Sequence, residues 1–306
     1  MNKAESKNHI FFEPHRDDLL LTFGGRLIEL LEKGESVTNH LIYGRDGFIR
    51  PAFLRKLSER DAETHAYLKN ISQYTGKEEI YDWIVTNLQS QSIDRLDSES
   101  ITDIGIAIRL IEERACMQYL GVHLIEHDQP CAYPLRGYKT FNEDNPTDIA
   151  TQTELQFHQI VLPAVLSGNL NSQYYFLSGI GGHPDHRILA ASGTKVAQYT
   201  NKDQSVSFGQ DLPYAAVLEW FRRSDLALEQ FDIQYTDISH TLLQKIDLLE
   251  RFYKSQLSPE DLRVVEMFHR SIVNLMSREY CTDILAKQGI EIDKVTAIEC
   301  RYGTHA

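Results

Sequence analysis

A chain of 306 residues, 42% hydrophobic and 25% charged, is long enough to bury a substantial core and has the charge content of an ordinary soluble protein. A formal charge of −13, with 44 acidic against 31 basic residues and no basic run, disfavours nucleic acid or an anionic membrane as partner. No segment approaches the roughly 20 apolar residues of a membrane span.

The first residues, Met1 to Asn8, are polar and carry no apolar signal core. Cys116, Cys131, Cys281 and Cys300 are scattered and form no CxxC pair. The expectation is a cytoplasmic protein with reduced thiols, in which any metal must lean on His and Asp.

In chain order, residues 9–12 read as a short buried strand. Leu19 to Glu32 is helical, because Leu20, Phe23, Leu27, Leu30 and Leu31 recur at three- and four-residue spacing and Gly34 is a fitting stop. Val37 to Ile42 is the next strand and leads into a loop, Tyr43 to Gly47. Strand, helix and strand make a βαβ unit, so a parallel pair with a right-handed crossover is expected. The polar stretch from Pro51 to Ser100 offers two helices, Leu54 to Tyr74 and Ile80 to Leu88, and reads as an insertion or lid.

Ile104, Ile108, Ile111 and Ala115 mark a helix that closes at Leu120-Gly121, before a strand at Val122 to Ile125. The loop from His127 to Pro146 contains Pro130, Pro134 and Gly137, and loops of that length are usually functional or disordered. A helix at Glu154 to Leu166, a strand at Tyr174 to Leu177 and a helix from His186 follow. A strand is expected near Ala215 to Leu218, then an amphipathic helix with Leu242, Ile246, Leu249 and Tyr253 on one face. Beyond Pro259 the chain is mostly helical, with a short strand-like run at Val295 to Ile298. The alternation predicts one α/β domain over residues 1–306, three-layered on a mostly parallel sheet, with residues 51–100 as an inserted helical segment.

Two loops carry the chemistry. Pro14-His15-Arg16-Asp17-Asp18 lies between the first strand and helix, and Gly181-Gly182-His183-Pro184-Asp185-His186 between the strand at Tyr174 and its helix. Adjacent carboxylates repel, so a helix start alone explains Asp17-Asp18 poorly. In a parallel sheet both loops face the crevice beyond the carboxyl ends of the strands. The economical assembly is zinc, or another divalent metal, held by His15, Asp18 and His186, with a fourth position open to water whose pKa falls toward ~7. Asp17 is then the general base, and His183 the protonated partner of a developing oxyanion or the acid to a leaving amine. Asp185 is placed to orient His183 and raise its pKa. Base, metal and imidazolium together describe an amide or ester hydrolase.

These motifs resemble the paired signatures of the PIG-L (LmbE-like) N-acetylglucosaminyl deacetylases. Arg109, Glu112 and Leu120-Gly121 resemble that family's RxxE…LG helix, and Lys245 with Ser255-Gln256 its later Lys…SerGln helix. The resemblance is interspersed from about residue 9 to 270. It implies a Rossmann-like α/β fold, a divalent metal on His15, Asp18 and His186, Asp17 as base, and an N-acetylated amino sugar or glycoconjugate as substrate. It further implies substrate contacts at Asp46 and at Arg136, with Lys245 either a ligand contact or a solvated helix residue.

The chain departs from the pattern at Pro14, at Arg16 where proline is usual, at Leu19, and at Gly181 where some members have tyrosine. Arg16 could pair with a substrate acid or with Asp17. Two other readings stand beside the deacetylase: a metal-dependent amidase acting on a non-sugar N-acyl compound, and a non-catalytic sugar- or metal-binding protein. Exposed aromatics and polar groups near Asp46 and Arg136 would favour the sugar, and a narrow apolar cleft the acyl compound.

Overall fold

In the computed structural model, which describes residues 7–90, 95–140, 143–169, 171–200, 205–212, 214–216, 232–276, 286–291 and 294–303, strand order explains how two distant loops meet. β1 (Asn8–Glu13), β2 (Ser36–Leu41), β3 (His123–Glu126), β4 (Gln173–Leu177), β5 (Ser205–Gly209), β6 (Asp232–Asp237) and β7 (Ile298–Gly303) form one sheet ordered β3-β2-β1-β4-β5-β7-β6. The first five run parallel, and β7 pairs antiparallel with both β5 and β6. The order reverses between β1 and β4, so a crevice opens at their carboxyl ends.

Ten helices are named here: α1 (Asp18–Glu32), α2 (Pro51–Ser58), α3 (Ala62–Tyr74), α4 (Glu78–Ser90), α5 (Ser98–Leu120), α6 (Pro146–Gln156), α7 (Leu162–Ser167), α8 (Pro184–Tyr199), α9 (Leu242–Phe252) and α10 (Pro259–Met276). They cover both faces. One apolar cluster joins Phe11 to Leu20 and Leu27 of α1, Ile108 of α5, Leu248 of α9 and Val265 of α10. The other joins Ile10 and Phe12 to Phe157, Val161 and Ile188. Alternate residues of β1 thus enter different cores, which is why a parallel strand reads as a continuous apolar run rather than an alternating one. This is the three-layer α/β fold expected. No described helix is long and apolar enough to cross a membrane.

Residues 51–90 hold three helices rather than two. The expected helix over Leu54 to Tyr74 breaks at Arg60, whose φ is +63°, and restarts on Asp61, whose carboxylate accepts the Thr64 amide at 2.9 Å. Phe53, Leu57, Leu68, Ile71, Ile84 and Leu88 of these helices all enter the cluster shared with α1 and α5.

Of the strand expected near Ala215 to Leu218, the described residues 215–216 are not strand. Tyr214–Ala216 is a 3₁₀ turn, and residues 217–218 lie outside the described residues. The strand comes earlier, at Ser205–Gly209, where alternating serines disguise a buried segment. The short C-terminal run begins its strand only at Ile298 and continues to Gly303 against the polar β6. Cys281 lies outside the described residues.

Candidate metal centre

β1 delivers His15 and Asp17 on the loop before α1, and Asp18 as the first residue of that helix. β4 delivers the second loop, and α8 starts at Pro184, a position that suits proline because the first helical N–H needs no partner. Residues some 170 positions apart therefore share one crevice. His15 Nδ1 lies 3.2 Å from Asp18 Oδ2 and 3.2 Å from His186 Nε2, and the last two atoms are 3.3 Å apart. A tetrahedral cation with bonds of ~2.0–2.1 Å sets its ligand atoms about 3.4 Å from one another, so this triangle has the right size for one ion.

Both imidazoles are held from behind. His15 Nε2 donates to Asp185 Oδ2 at 3.0 Å, and His186 Nδ1 donates to Asp211 Oδ1 at 2.6 Å. Each ring thereby keeps its lone pair on the nitrogen that faces the triangle. Asp211 is itself fixed, accepting from the amides of Ser178 and Ile180 at 3.0 Å each.

Without a cation, the triangle can be relieved only by protons. Burial opposes charge on His15, but Asp46, Asp18 and Asp185 outweigh it and raise its pKa to about 9. His186 moves up in the same way, against burial and because of Asp18 and Asp211. Asp18 is held below the usual carboxylate range, its burial overcome by His186 and His15. Two imidazoles drawn toward protonation around one carboxylate describe a site built for positive charge.

Asp17 stands beside this triangle. Its φ of +106° is a costly backbone for a residue with a Cβ, of order 1–3 kcal/mol, and it turns the carboxylate toward α5. Arg109 Nη2 donates to Asp17 Oδ1 at 2.9 Å, and the same guanidinium pairs with Asp46 and donates to the Arg16 carbonyl. Burial pushes the Asp17 carboxyl well up, Arg109 pulls it down, and Asp18 and Asp46 push it up again.

His183 completes the group. It has a nitrogen within 4.8 Å of ligand atoms of His15 and His186, and its Nδ1 accepts the Asp185 amide at 3.2 Å. The ring is accordingly neutral with its proton on Nε2, and burial followed by the charges of His15 and His186 holds its pKa well below the ordinary value.

Four expected roles change. The Asp185 carboxylate orients His15, not His183. Its two oxygens are taken by His15, the Ala132 amide and Arg136, and its upward pull on the His183 pKa is outweighed by burial and by the charges of His15 and His186. Arg136 is committed to Asp185 (2.7 Å), the Pro130 carbonyl (2.9 Å) and Asp148 (3.3 Å), which leaves it a brace for the metal shell rather than a free sugar contact.

Arg16 does not reach Asp17. It is buried with its guanidinium 3.7 Å from Glu126. Lys245 is fully buried on α9, where Nζ donates to the Leu21 carbonyl, His269 Nε2 and Glu299 Oε1 at 2.8–2.9 Å, and it touches no residue of the crevice loops. Gly24 is what lets it pass, because a Cβ there would lie 2.9 Å from Lys245 Cγ. Asp46 does lie at the site, where it faces Arg109.

The reading from sequence missed Asp211, which follows the overlooked β5, and gave Arg109 no place at the site. Glu112, one turn further along α5, accepts from the Tyr67 hydroxyl (2.7 Å) and the Ser255 amide (2.9 Å), so the RxxE and SerGln signatures meet as one interlock. Tyr214 was also unforeseen. Its ring stands edge-on to His186, 5.7 Å between centroids, and packs on Gly181, where a Cβ would come within 2.7 Å of it.

No family model and no curated protein matches the sequence. Solved structures do. A deacetylase–teicoplanin complex from teicoplanin biosynthesis is similar over 98% of this chain and 99% of its own, at 14% identity and a TM-score of 0.59. The fold is shared with that protein. The zinc-inhibited form of a teicoplanin deacetylase matches over 97% of both chains at 16% identity and a TM-score of 0.54. N,N'-diacetylchitobiose deacetylase from Pyrococcus horikoshii matches over 98% of this chain and 84% of its own, at 14% identity and a TM-score of 0.51. This agrees with the fold that the motif resemblance implies.

Proposed function

We propose that the protein is a metal-dependent N-deacetylase of the PIG-L (LmbE-like) kind, acting on an N-acetylated amino sugar or its conjugate. The observation that carries this reading is the closed triangle of His15, Asp18 and His186 with a further acid, Asp17, held beside it by Arg109. A divalent cation on these three side chains, zinc by the donor set, supplies Lewis acidity and makes water a nucleophile near neutral pH. The resident residues do the rest.

Asp17, held on Oδ1 by Arg109, takes the proton from the attacking water on its other oxygen. Its buried setting makes it a stronger base than a surface carboxylate, and Arg109 on Oδ1 only partly opposes that rise. His183, neutral, donates from Nε2 to the oxygen of the acetyl group as negative charge develops there. This differs from the imidazolium expected from sequence, because the Asp185 amide already occupies Nδ1. The proton on Asp17 then passes to the departing nitrogen, the C–N bond breaks, and acetate and the free amine are the products.

The acetamide reading draws on the deacetylase fold of the structural neighbours. The conjugate reading draws on the rim: Phe48 and Tyr133 are exposed on the loops that carry Asp46 and Arg136, where they would meet a group carried beyond the sugar rather than line an apolar acyl cleft. The test is acetate release from N-acetylglucosaminyl conjugates and from N-acetyl amino acids, with wild type and His183→Ala side by side. Turnover of the sugars alone, reduced about 100-fold or more in the variant, is the expected result. Turnover of the amino acids alone would overturn the substrate class, and equal rates for both proteins would overturn the role of His183.

A further inference from the structure

The loops after β2 and β3 run side by side, and both carry an exposed aromatic ring. Single apolar side chains on a surface need no explanation. This pair differs, because each ring projects from backbone that is pinned to the metal shell. Phe48 is 54% exposed and Tyr133 is 41% exposed. The bridge between Arg45 and Pro130 is parallel, and each aromatic lies three residues beyond it.

The Phe48 amide donates to Asp46 Oδ1 at 3.2 Å, and its carbonyl accepts from Gln256 Nε2 at 2.9 Å. Behind it, Gly47 is pressed so closely on α5 that a Cβ at Gly105 would lie 2.0 Å from the Gly47 carbonyl oxygen. On the other loop, the Ala132 amide donates to Asp185 Oδ2 at 2.9 Å, and the Tyr133 carbonyl accepts from Cys131 Sγ at 2.8 Å. Asp46 faces Arg109 and Asp17, and Asp185 holds His15. The backbone that carries each ring is therefore tied to residues around the triangle, one through Asp46 and the other through Asp185.

We infer that Phe48 and Tyr133 form a preorganised aromatic rim that receives a flat apolar aglycone attached to the N-acetylated sugar. This rests on the deacetylase reading and adds the group beyond the acetamide. Aromatic side chains on pinned backbone have only two torsions to lose on binding, so their large contact area is gained at low entropic cost. A substrate with only a methyl aglycone cannot span from the acetamide to both rings and gains nothing from them.

The experiment compares methyl and phenyl N-acetyl-β-glucosaminides in wild type, Phe48→Ala, Tyr133→Ala and the double variant, by acetate release and by calorimetric binding to the metal-loaded protein. We expect KM and Kd for the phenyl compound to rise about tenfold in the double variant, with kcat within twofold, and the methyl compound to be unaffected. Equal losses on both compounds, or no loss on either, would overturn the rim. Calorimetry separates the two claims. Phenyl-selective binding that depends on both rings, without acetate release, upholds the rim and refutes deacetylation. Acetate release with indifferent rings does the reverse.

Discussion

Two buried charged clusters lie against α1, one at its start and one further along beside Leu21 and Gly24, and they solve the same electrostatic problem differently. At the far one, Lys245 brings its own cation, and the Leu21 carbonyl, His269 and Glu299 surround it as acceptors. At the near one, His15, Asp18 and His186 present three acceptor atoms to one point, and two further carboxylates fix the tautomers that keep the lone pairs there. Neither arrangement is stable against burial without positive charge at its centre. The Lys245 cluster is complete within the chain and so serves the fold. The histidine cluster is complete only with a cation or protons from outside, and that incompleteness is what makes it a site.

The comparison can be broken most sharply at Asp17, which belongs to the near cluster but holds no ion. Asp17→Asn should lower the rate of acetate release by about 1,000-fold, roughly 4 kcal/mol in barrier, while metal content measured by elemental analysis stays unchanged. Retained hydrolysis would remove Asp17 from the mechanism. Lys245→Met acts on the other cluster alone. It leaves Glu299 buried without its partner and should cost about 3 kcal/mol in chemical denaturation, with the metal stoichiometry of the folded fraction intact.

Asp211→Asn lies between these cases. It should weaken metal binding by about 10–100-fold in a competition titration, because His186 loses the acceptor that orients it. Metal affinity equal to wild type would mean that the His186 tautomer is set by something else.

The smallest effect comes from histidines outside both clusters. His9 is held down to about 4 by burial and Arg26, and His40 to about 4 by burial and His127. His40 Nδ1 and His127 Nε2 share one N–H at 3.1 Å, so both rings cannot carry a second proton without breaking the contact. The unfolded chain protonates such residues near 6.5, before the folded one does. Stability should be full above that pH and fall as pH drops toward 4, by at most about 2 kcal/mol per histidine at pH 5. Denaturation of the metal-loaded protein between pH 7 and 5 measures the slope, and His40→Gln should flatten it.

How much of this is legible in the sequence follows from how local each signal is. His15 and Asp18 sit three residues apart at a helix start, and His186 ends a loop of the same design after another strand. The alternation of elements predicts a mostly parallel sheet with both loops at its carboxyl edge, and the strand order then brings them together. Asp211 was not legible, because its only local sign is the short strand before it, where Ser205 and Ser207 mask the apolar Val206 and Phe208. Lys245 left a sign that could have been used: it lies three residues after Leu242 and four before Leu249, on the buried stripe of α9. A lysine on that stripe must find acceptors inside, and Glu299 and His269 come from elements that no local pattern links to it. Arg16 and Arg136 illustrate the same limit. A loop arginine near a motif reads as a ligand contact, and only the fold reveals that Glu126 lies beside one and that Asp148 and Asp185 engage the other.

The measurement that tests the account most directly is the divalent metal content of wild type and of His186→Ala, each purified without chelator and titrated with zinc. One ion per chain in the wild type, lost in the variant while the far-ultraviolet spectrum is retained, is the predicted result. Wild type that binds no metal, or a variant that binds as well as wild type, would contradict the claim that the triangle of His15, Asp18 and His186 is a cation site.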